Sequence, residues 1–282
     1  MRVFVFLFKL LFFRNKSKIA VMEIHGVIGD KLNINAYCEL LRKVNQSPKY
    51  KALLLDIKSP GGSAAGTEVL FHEIKKVADS KPVVAYIREV GASGGYYLAC
   101  GARHITALPT TVVGSIGVIF VKPVAEQLLS KIGIQYSVFT QGKYKDMGGF
   151  WRESTEEENQ KFNSLLKEVY DNFVGVVSES RSVYGDELDN VTTGEIFTGN
   201  TAKELNLIDE LGGFDETLDK AVELSGAKRR TIKLKPKKSF ADKLAIRAQS
   251  NNTQSGILSV LDSLLTGGIY YLDSTFALKK DM

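Results

Sequence analysis

The stretch that most limits how this chain can fold is Ala52 to Ile57, ALLLDI, followed almost at once by Ser59-Pro60-Gly61-Gly62. A run apolar on successive residues has no polar face to give to water. It therefore suits a strand covered on both sides, inside a parallel sheet. Parallel neighbours need long crossovers, and the surrounding sequence supplies them. Ile19–Ile28 (IAVMEIHGVI) is β-branched and strand-like, and Ile34 to Val44 has helical spacing. Thr67 to Val77 predicts an amphipathic helix with Val69, Leu70, Ile74 and Val77 on one side, and Pro82–Ile87 predicts the next strand. Gly91-Ala92 turns into a helix expected from Ser93 to about Gly101. Gly114–Phe120 is another apolar run, Lys122-Pro123 opens a helix to Ile132, and Tyr136–Thr140 predicts a further strand. This alternation predicts an α/β fold with right-handed crossovers.

From Ser154 the pattern turns helical. Ser154-x-x-Glu157 fits a capping box, and Phe162, Leu165, Leu166, Val169, Phe173 and Val176 follow at helical spacing. Shorter helices are expected around Thr201–Leu205 and Asp215–Leu224, the second stopped by Gly226. No internal repeat is evident.

Composition removes several classes of function. The chain has 282 residues, 44% hydrophobic and 24% charged, which is ordinary globular usage. Two cysteines, Cys38 and Cys100, cannot build a disulfide framework or a four-thiolate zinc site, and three histidines are few for a metal centre. No metal or cofactor is expected. The net charge of +5 is local: Lys228 to Arg247 holds nine basic residues and one acid, Asp242. A near-neutral body with one basic segment does not predict a nucleic-acid partner. The basic segment is read as a solvated linker. At the other end, Val3–Phe13 reads VFVFLFKLLFF with Arg14, Lys16 and Lys18 after it. About 20 apolar residues are needed to span a bilayer, so this run is expected to anchor at a membrane interface, its basic flank near lipid headgroups. Ile257–Leu278 is apolar again but broken by Asp262, Gly267-Gly268 and Asp273, which suits a partner-binding or swapped tail.

Two glycine-flanked elements carry the chemistry. In Ser59-Pro60-Gly61-Gly62-Ser63, directly after the buried strand, glycines free backbone N–H groups to face a ligand, as in an oxyanion hole. In Gly91-Ala92-Ser93-Gly94-Gly95, between strand and helix, a serine hydroxyl is presented at a helix N-terminus beside the Gly94 N–H. Each has a plain structural reading as well: a PGG turn, and a serine N-cap. A serine nucleophile needs a base. His104 is awkwardly placed to reach Ser93, His72 falls on an amphipathic helix, and His25 ends a strand. Lysine can serve if desolvation lowers its pKa, and Lys143 and Lys145 both lie in Gly142-Lys143-Tyr144-Lys145-Asp146-Met147-Gly148-Gly149. Chemistry alone does not choose between them. Cys100, on the helix after Ser93, is expected in the core.

Taken together, SPGGS at Ser59–Ser63, ASGGYYLA at Ala92–Ala99, VGSIGV at Val113–Val118, GKYKDMGG at Gly142–Gly149 and EIFTGNTAKELNLIDELGG at Glu195–Gly213 resemble the signal peptide peptidase A (protease four) family of serine peptidases. The resemblance covers roughly residues 18–226 and matches the single-domain form. It implies a crotonase-like, Clp-protease-like α/β fold with a parallel-rich sheet and flanking helices. It also implies a Ser–Lys dyad: Ser93 as nucleophile, Lys145 as general base, Ser115 orienting the lysine, and the N–H groups of Gly62 and Gly94 as oxyanion donors. Domains are expected at 1–18 (membrane-associating), 19–226 (peptidase) and 227–282 (basic linker and apolar tail). Further implications are apolar peptide substrates such as signal-peptide remnants, a homo-oligomeric ring or dome that can share Ser and Lys between subunits, and association with a prokaryotic inner membrane through lipid contact of the N-terminus. Two other classes use such a fold: an acyl-CoA hydratase or isomerase, which would need acidic catalytic residues and a CoA surface, and an inactive membrane scaffold.

Overall fold

A computed structural model describes residues 18–29, 32–236 and 269–272; the N-terminal run Val3–Phe13 and most of the tail Ile257–Leu278 lie outside the described residues. In chain order the elements are β1 (Lys18–His25), α1 (Ile34–Gln46), β2 (Tyr50–Ser59), β3 (Gly61–Ser63), α2 (Ala64–Ala78), β4 (Val83–Ala92), α3 (Gly94–Ala99), β5 (His104–Ala107), β6 (Val112–Gly114), β7 (Ile119–Phe120), α4 (Glu126–Lys131), α5 (Glu156–Arg181), α6 (Asp186–Val191), β8 (Ile196–Thr198), α7 (Gly199–Glu204), β9 (Glu210–Leu211), α8 (Phe214–Ser225), β10 (Thr231–Leu234) and β11 (Ile269–Leu272). The described residues form two compact units: 18–118, 172–236 and 270–272 belong to the first, 119–171 and 269 to the second.

The first unit is a mostly parallel sheet in the order β10-β1-β2-β4-β5-β9, with β6 beside the end of β4 and β8 beyond it. All neighbours along that order run parallel; β6 is parallel to β4, and only β8 reverses direction against β6. The ALLLDI run lies near the centre of β2, and Ala52 to Ile57 are essentially inaccessible, as a strand covered on both faces requires. On one face Ile19, Val21, Ala52, Leu54, Val84 and Tyr86 pack with Leu218 and Ala221 of α8. The alternate residues Ala20, Met22, Leu53, Leu55, Val83 and Ala85 are just as buried. At about 1.5–3 kcal/mol per large apolar side chain, these layers hold the sheet together. Asn33 caps α1 and Ser63 caps α2, accepting from Ala36 N–H (3.1 Å) and Gly66 N–H (3.2 Å), while Gly226 ends α8 in the left-handed conformation.

Residues 231–234, inside the basic stretch read as a linker, form an edge strand against β1, and Lys233 Nζ donates to Glu23 (2.8 Å). The positive charges of that edge face a carboxylate of the neighbouring strand, and the Glu23 carboxyl is held below its usual range, chiefly by Lys233. Lysines on an edge strand also discourage pairing with another chain.

The second unit departs further from expectation. Tyr136–Thr140 forms no strand, and the helix opened by Lys122-Pro123 is only the six residues of α4. A strand needs a ladder partner, and among the described residues of this unit none lies along Tyr136–Thr140; Phe139 is 94% exposed. Arg152 organises the unit instead: Nε donates to Asp146 (3.0 Å) and the two terminal nitrogens donate to the Glu158 carboxylate (2.8 and 2.5 Å). The capping box of α5 is shifted by one residue. Thr155 Oγ1 accepts from Glu158 N–H (3.2 Å) and Glu158 accepts from Thr155 N–H (2.8 Å), while Ser154 Oγ accepts from Lys122 (2.7 Å). Among the described residues no helix is long and apolar enough to cross a membrane.

Candidate active site

Three parallel strands end side by side. Ser59 of β2 stands opposite Gly91 of β4, and Ala92 of β4 opposite Gly114 of β6, so the residues just beyond these ends gather at one rim of the sheet. Carboxyl ends of parallel strands are where open α/β folds bind ligands. Ser93 is one of these residues. Its N–H donates to Gly114 O (2.7 Å), its C=O accepts from Tyr97 N–H (2.9 Å), and it is 1% exposed. It holds φ 51° and ψ −120°, a region glycine adopts freely and other residues enter at about 1–3 kcal/mol. Although it precedes α3, its side chain makes no capping hydrogen bond. The N-cap reading of this serine is therefore wrong: the hydroxyl is not used by the helix. Ser115, one residue past Gly114, also has positive φ (52°), is largely buried, and is fixed by its N–H donating to Glu195 O (2.6 Å). The β4–β6 register places the two serines on adjacent chain segments.

The glycines are needed for close approach. A Cβ on Gly62 would lie 2.1 Å from Ile28 O, and one on Gly95 would lie 2.5 Å from Ser59 O. Ser59 ties this rim together, with Oγ donating to Gly26 O (2.7 Å) and accepting from Gly61 N–H (3.2 Å). Sequence reasoning missed that role; the only signal was a serine placed before Pro-Gly-Gly. Gly94 opens α3, in the first turn, where backbone N–H groups have no partner within the helix.

The histidines do not supply a base. His104 pairs with Val84 at the opposite end of β4 from Ser93, nine residues along a strand that rises about 3.3 Å per residue, or roughly 30 Å away. It lies 3.0 Å from Glu210. His72 is exposed beside Glu68, and His25 lies 3.5 Å from Asp56 on β1, two strands from β4. The buried carboxylates are also committed. Asp56 receives Arg88 twice (3.0 and 2.6 Å), Glu73 receives Arg42 and Lys76, and Glu158 receives Arg152. Cys38 and Cys100 are buried, and burial pushes both thiols up, away from reactivity.

The two lysines of GKYKDMGG differ. Lys143 is paired with Glu157, which also accepts from Tyr144 O–H (2.6 Å), and that carboxylate pushes the Lys143 amine up, favouring its charged form. Lys145 is exposed and its side chain has no ion pair or hydrogen bond among the described residues; its neighbour Asp146 is fixed by Arg152. Lys145 lies in the second unit, whereas Ser93, Ser115, Gly62 and Gly94 lie in the first. Lys122 is pushed down by desolvation, but it is occupied by Ser154 Oγ and by Arg152 O (3.0 Å).

Comparison with known proteins agrees with the motifs. The profile of peptidase family S49 matches residues 75–228. A Synechocystis sp. protein bearing a protease name is 36% identical over 211 residues, spanning 75% of this chain and 76% of its own length. The serine protease SPPA of Arabidopsis thaliana chloroplasts is 37% identical over 181 residues, 64% of this chain but 27% of that longer protein. Protease 4 of Salmonella typhi is 33% identical over 190 residues, 67% of this chain and 31% of its own length. Among solved structures, a membrane-bound stomatin-specific protease aligns over 83% of this chain and 99% of its own, at 18% identity and a TM-score of 0.47. A serine freed from capping duty at the rim of a parallel sheet, and this set of protease relatives, lead to one assignment: the chain belongs to peptidase family S49.

Proposed function

We propose that this peptidase uses a Ser93–Lys145 dyad to hydrolyse apolar peptides. The observation that carries the reading is Ser93 itself, buried, strained and uncapping at the strand-to-helix turn. A neutral Lys145 amine takes the Ser93 proton as Oγ attacks the peptide carbonyl. The N–H groups of Gly62 and Gly94 receive the oxyanion, where losing one such donor costs about 100–1,000-fold in rate. The lysine returns its proton to the leaving amine, and water then cleaves the acyl-enzyme with the same base. Ser115 holds the amine. The choice of Lys145 over Lys143 is supported by Glu157, which engages Lys143 alone of the two.

A lysine base needs its pKa lowered from about 10.4 to about 7–8, roughly 4 kcal/mol of lost solvation. Lys145 is exposed in the single chain, and the same unit exposes Leu128, Ile132 and Phe139. A second copy covering this surface would supply that desolvation, so the working form is a homo-oligomer whose neighbouring subunits share the site. Signal-peptide remnants at a membrane are the substrates suggested by the protease relatives and by the apolar N-terminal sequence. The acyl-CoA hydratase reading is disfavoured because the buried carboxylates Asp56, Glu73 and Glu158 are each already ion-paired. The test is covalent labelling with a serine-reactive probe at pH about 8, together with turnover of an apolar fluorogenic peptide. Wild type labels and cleaves, while folded Ser93→Ala and Lys145→Ala do neither. Cleavage by Ser93→Ala would end the proposal.

A further inference from the structure

β3 is a peptide-accepting edge, and it is already occupied. On one side Ile28 holds it: Ile28 N–H donates to Gly61 O (2.8 Å), and Ser63 N–H donates to Ile28 O (2.8 Å). Along a strand, successive residues direct their backbone groups to alternate edges. With Gly61 O and Ser63 N–H turned toward Ile28, the N–H and C=O of Gly62 are directed to the opposite edge. That is the edge on which β11 lies antiparallel, with Tyr270 opposite Ser63, Tyr271 opposite Gly62 and Leu272 opposite Gly61. In sequence the added strand is Ile-Tyr-Tyr-Leu, an extended apolar peptide. Strand addition of this kind takes its affinity from the main chain and accepts any extended segment with suitable side chains.

We propose that residues 269–272 are an internal competitor: the chain's own apolar strand fills in cis the edge on which peptide substrate pairs, and it must leave before substrate reaches Gly62. This rests on the peptidase reading, in which the Gly62 N–H receives the oxyanion. The tail and the substrate then require the same backbone groups, and only the fraction of molecules with β11 released binds substrate. Apparent affinity for peptide falls by that fraction, while turnover of the bound complex does not change.

The experiment uses full-length protein in its native assembly. Tyr271→Pro removes the N–H facing Gly62 and is expected to raise kcat/KM for an apolar fluorogenic peptide at least about fivefold, through KM and with kcat constant. The added peptide Gly-Gly-Ile-Tyr-Tyr-Leu-Asp-Ser, residues 267–274, should inhibit the variant competitively. A second arm needs no variant. Backbone amide exchange at residues 270–272 of the wild type should accelerate when Ser93 carries a peptidyl phosphonate and stay slow when it carries a small fluorophosphonate. Equal KM in wild type and variant, or exchange indifferent to the peptidyl probe, overturns the competitor while leaving a labelled Ser93 and the peptidase reading intact. Loss of turnover in a folded, labelled variant also overturns it, because β11 would then be part of the working site. Failure of both probes to label Ser93 overturns the peptidase reading itself.

Discussion

Ser63 and Ser93 occupy matching places, each the last residue before a helix and each next to glycines at the end of a strand. Ser63 has an unstrained backbone (φ −54°, ψ 124°), and its Oγ accepts from Gly66 N–H (3.2 Å). Ser93 is forced into a glycine-like conformation and leaves its helix uncapped. A residue that relieved the strain would be glycine, and one that capped α3 would turn its hydroxyl inward. The sequence keeps a serine that does neither, which is how a position selected for chemistry differs from one selected for stability.

The sharpest way to break this comparison is through activity. Ser93→Ala should lose about 10⁴-fold or more in kcat/KM with its melting temperature unchanged, because Ala keeps the strain and removes only the hydroxyl. Ser63→Ala should keep nearly all of its activity, and single-turnover assays would separate the two. Next in size is Gly62→Ala. Its Cβ would lie 2.1 Å from Ile28 O, so the turn must move, and urea unfolding should show about 3–5 kcal/mol lost. The lysine-bearing unit gives a third measure. Arg152 and the Thr155 N–H hold the Glu158 carboxyl down at about 2, against its ordinary 4.5. A lowered folded-state pKa gives stability that is present above the ordinary value and lost as pH falls from about 4.5 toward 2. Denaturation midpoints of the wild type should therefore fall across that window, and Glu158→Gln should flatten that part of the fall. The smallest effects have opposite signs: Ser93→Gly should stabilise by about 1 kcal/mol as strain is released, and Ser63→Ala should cost about 1 kcal/mol as a cap is lost. If both destabilise equally, the two turns do the same job.

The pattern of apolar residues made the first unit legible and the second much less so. ALLLDI became the interior strand because burial on both faces leaves a continuous signal, and Gly226 stopped α8 where only a left-handed residue fits. The expected strand Pro82–Ile87 instead runs on through Ala92, because β6 supplies a late parallel partner that local propensity cannot show. Tyr136–Thr140 carries the residues of a strand but no neighbour to pair with, and pairing is a property of the assembled fold. Of the candidate site, Ser93, Ser115, Gly62 and Gly94 were readable as motifs. The backbone strain at Ser93, the carboxylate that distinguishes Lys143 from Lys145 and the strand laid over Gly62 were not, since each depends on contacts across long separations in sequence.

The helix that opens at Gly94 is only six residues long, too short to persist alone. Its Tyr96 is fully buried, and its hydroxyl donates to Leu207 O (2.7 Å), 111 residues later in the chain. Contacts of such separation close late, after the loop entropy between them has been overcome. On a ribosome, residue 93 emerges long before residue 207. The turn that bears the nucleophile therefore has no fixed support until most of the chain has been made, and the nascent protein is harmless to its neighbours for most of its synthesis.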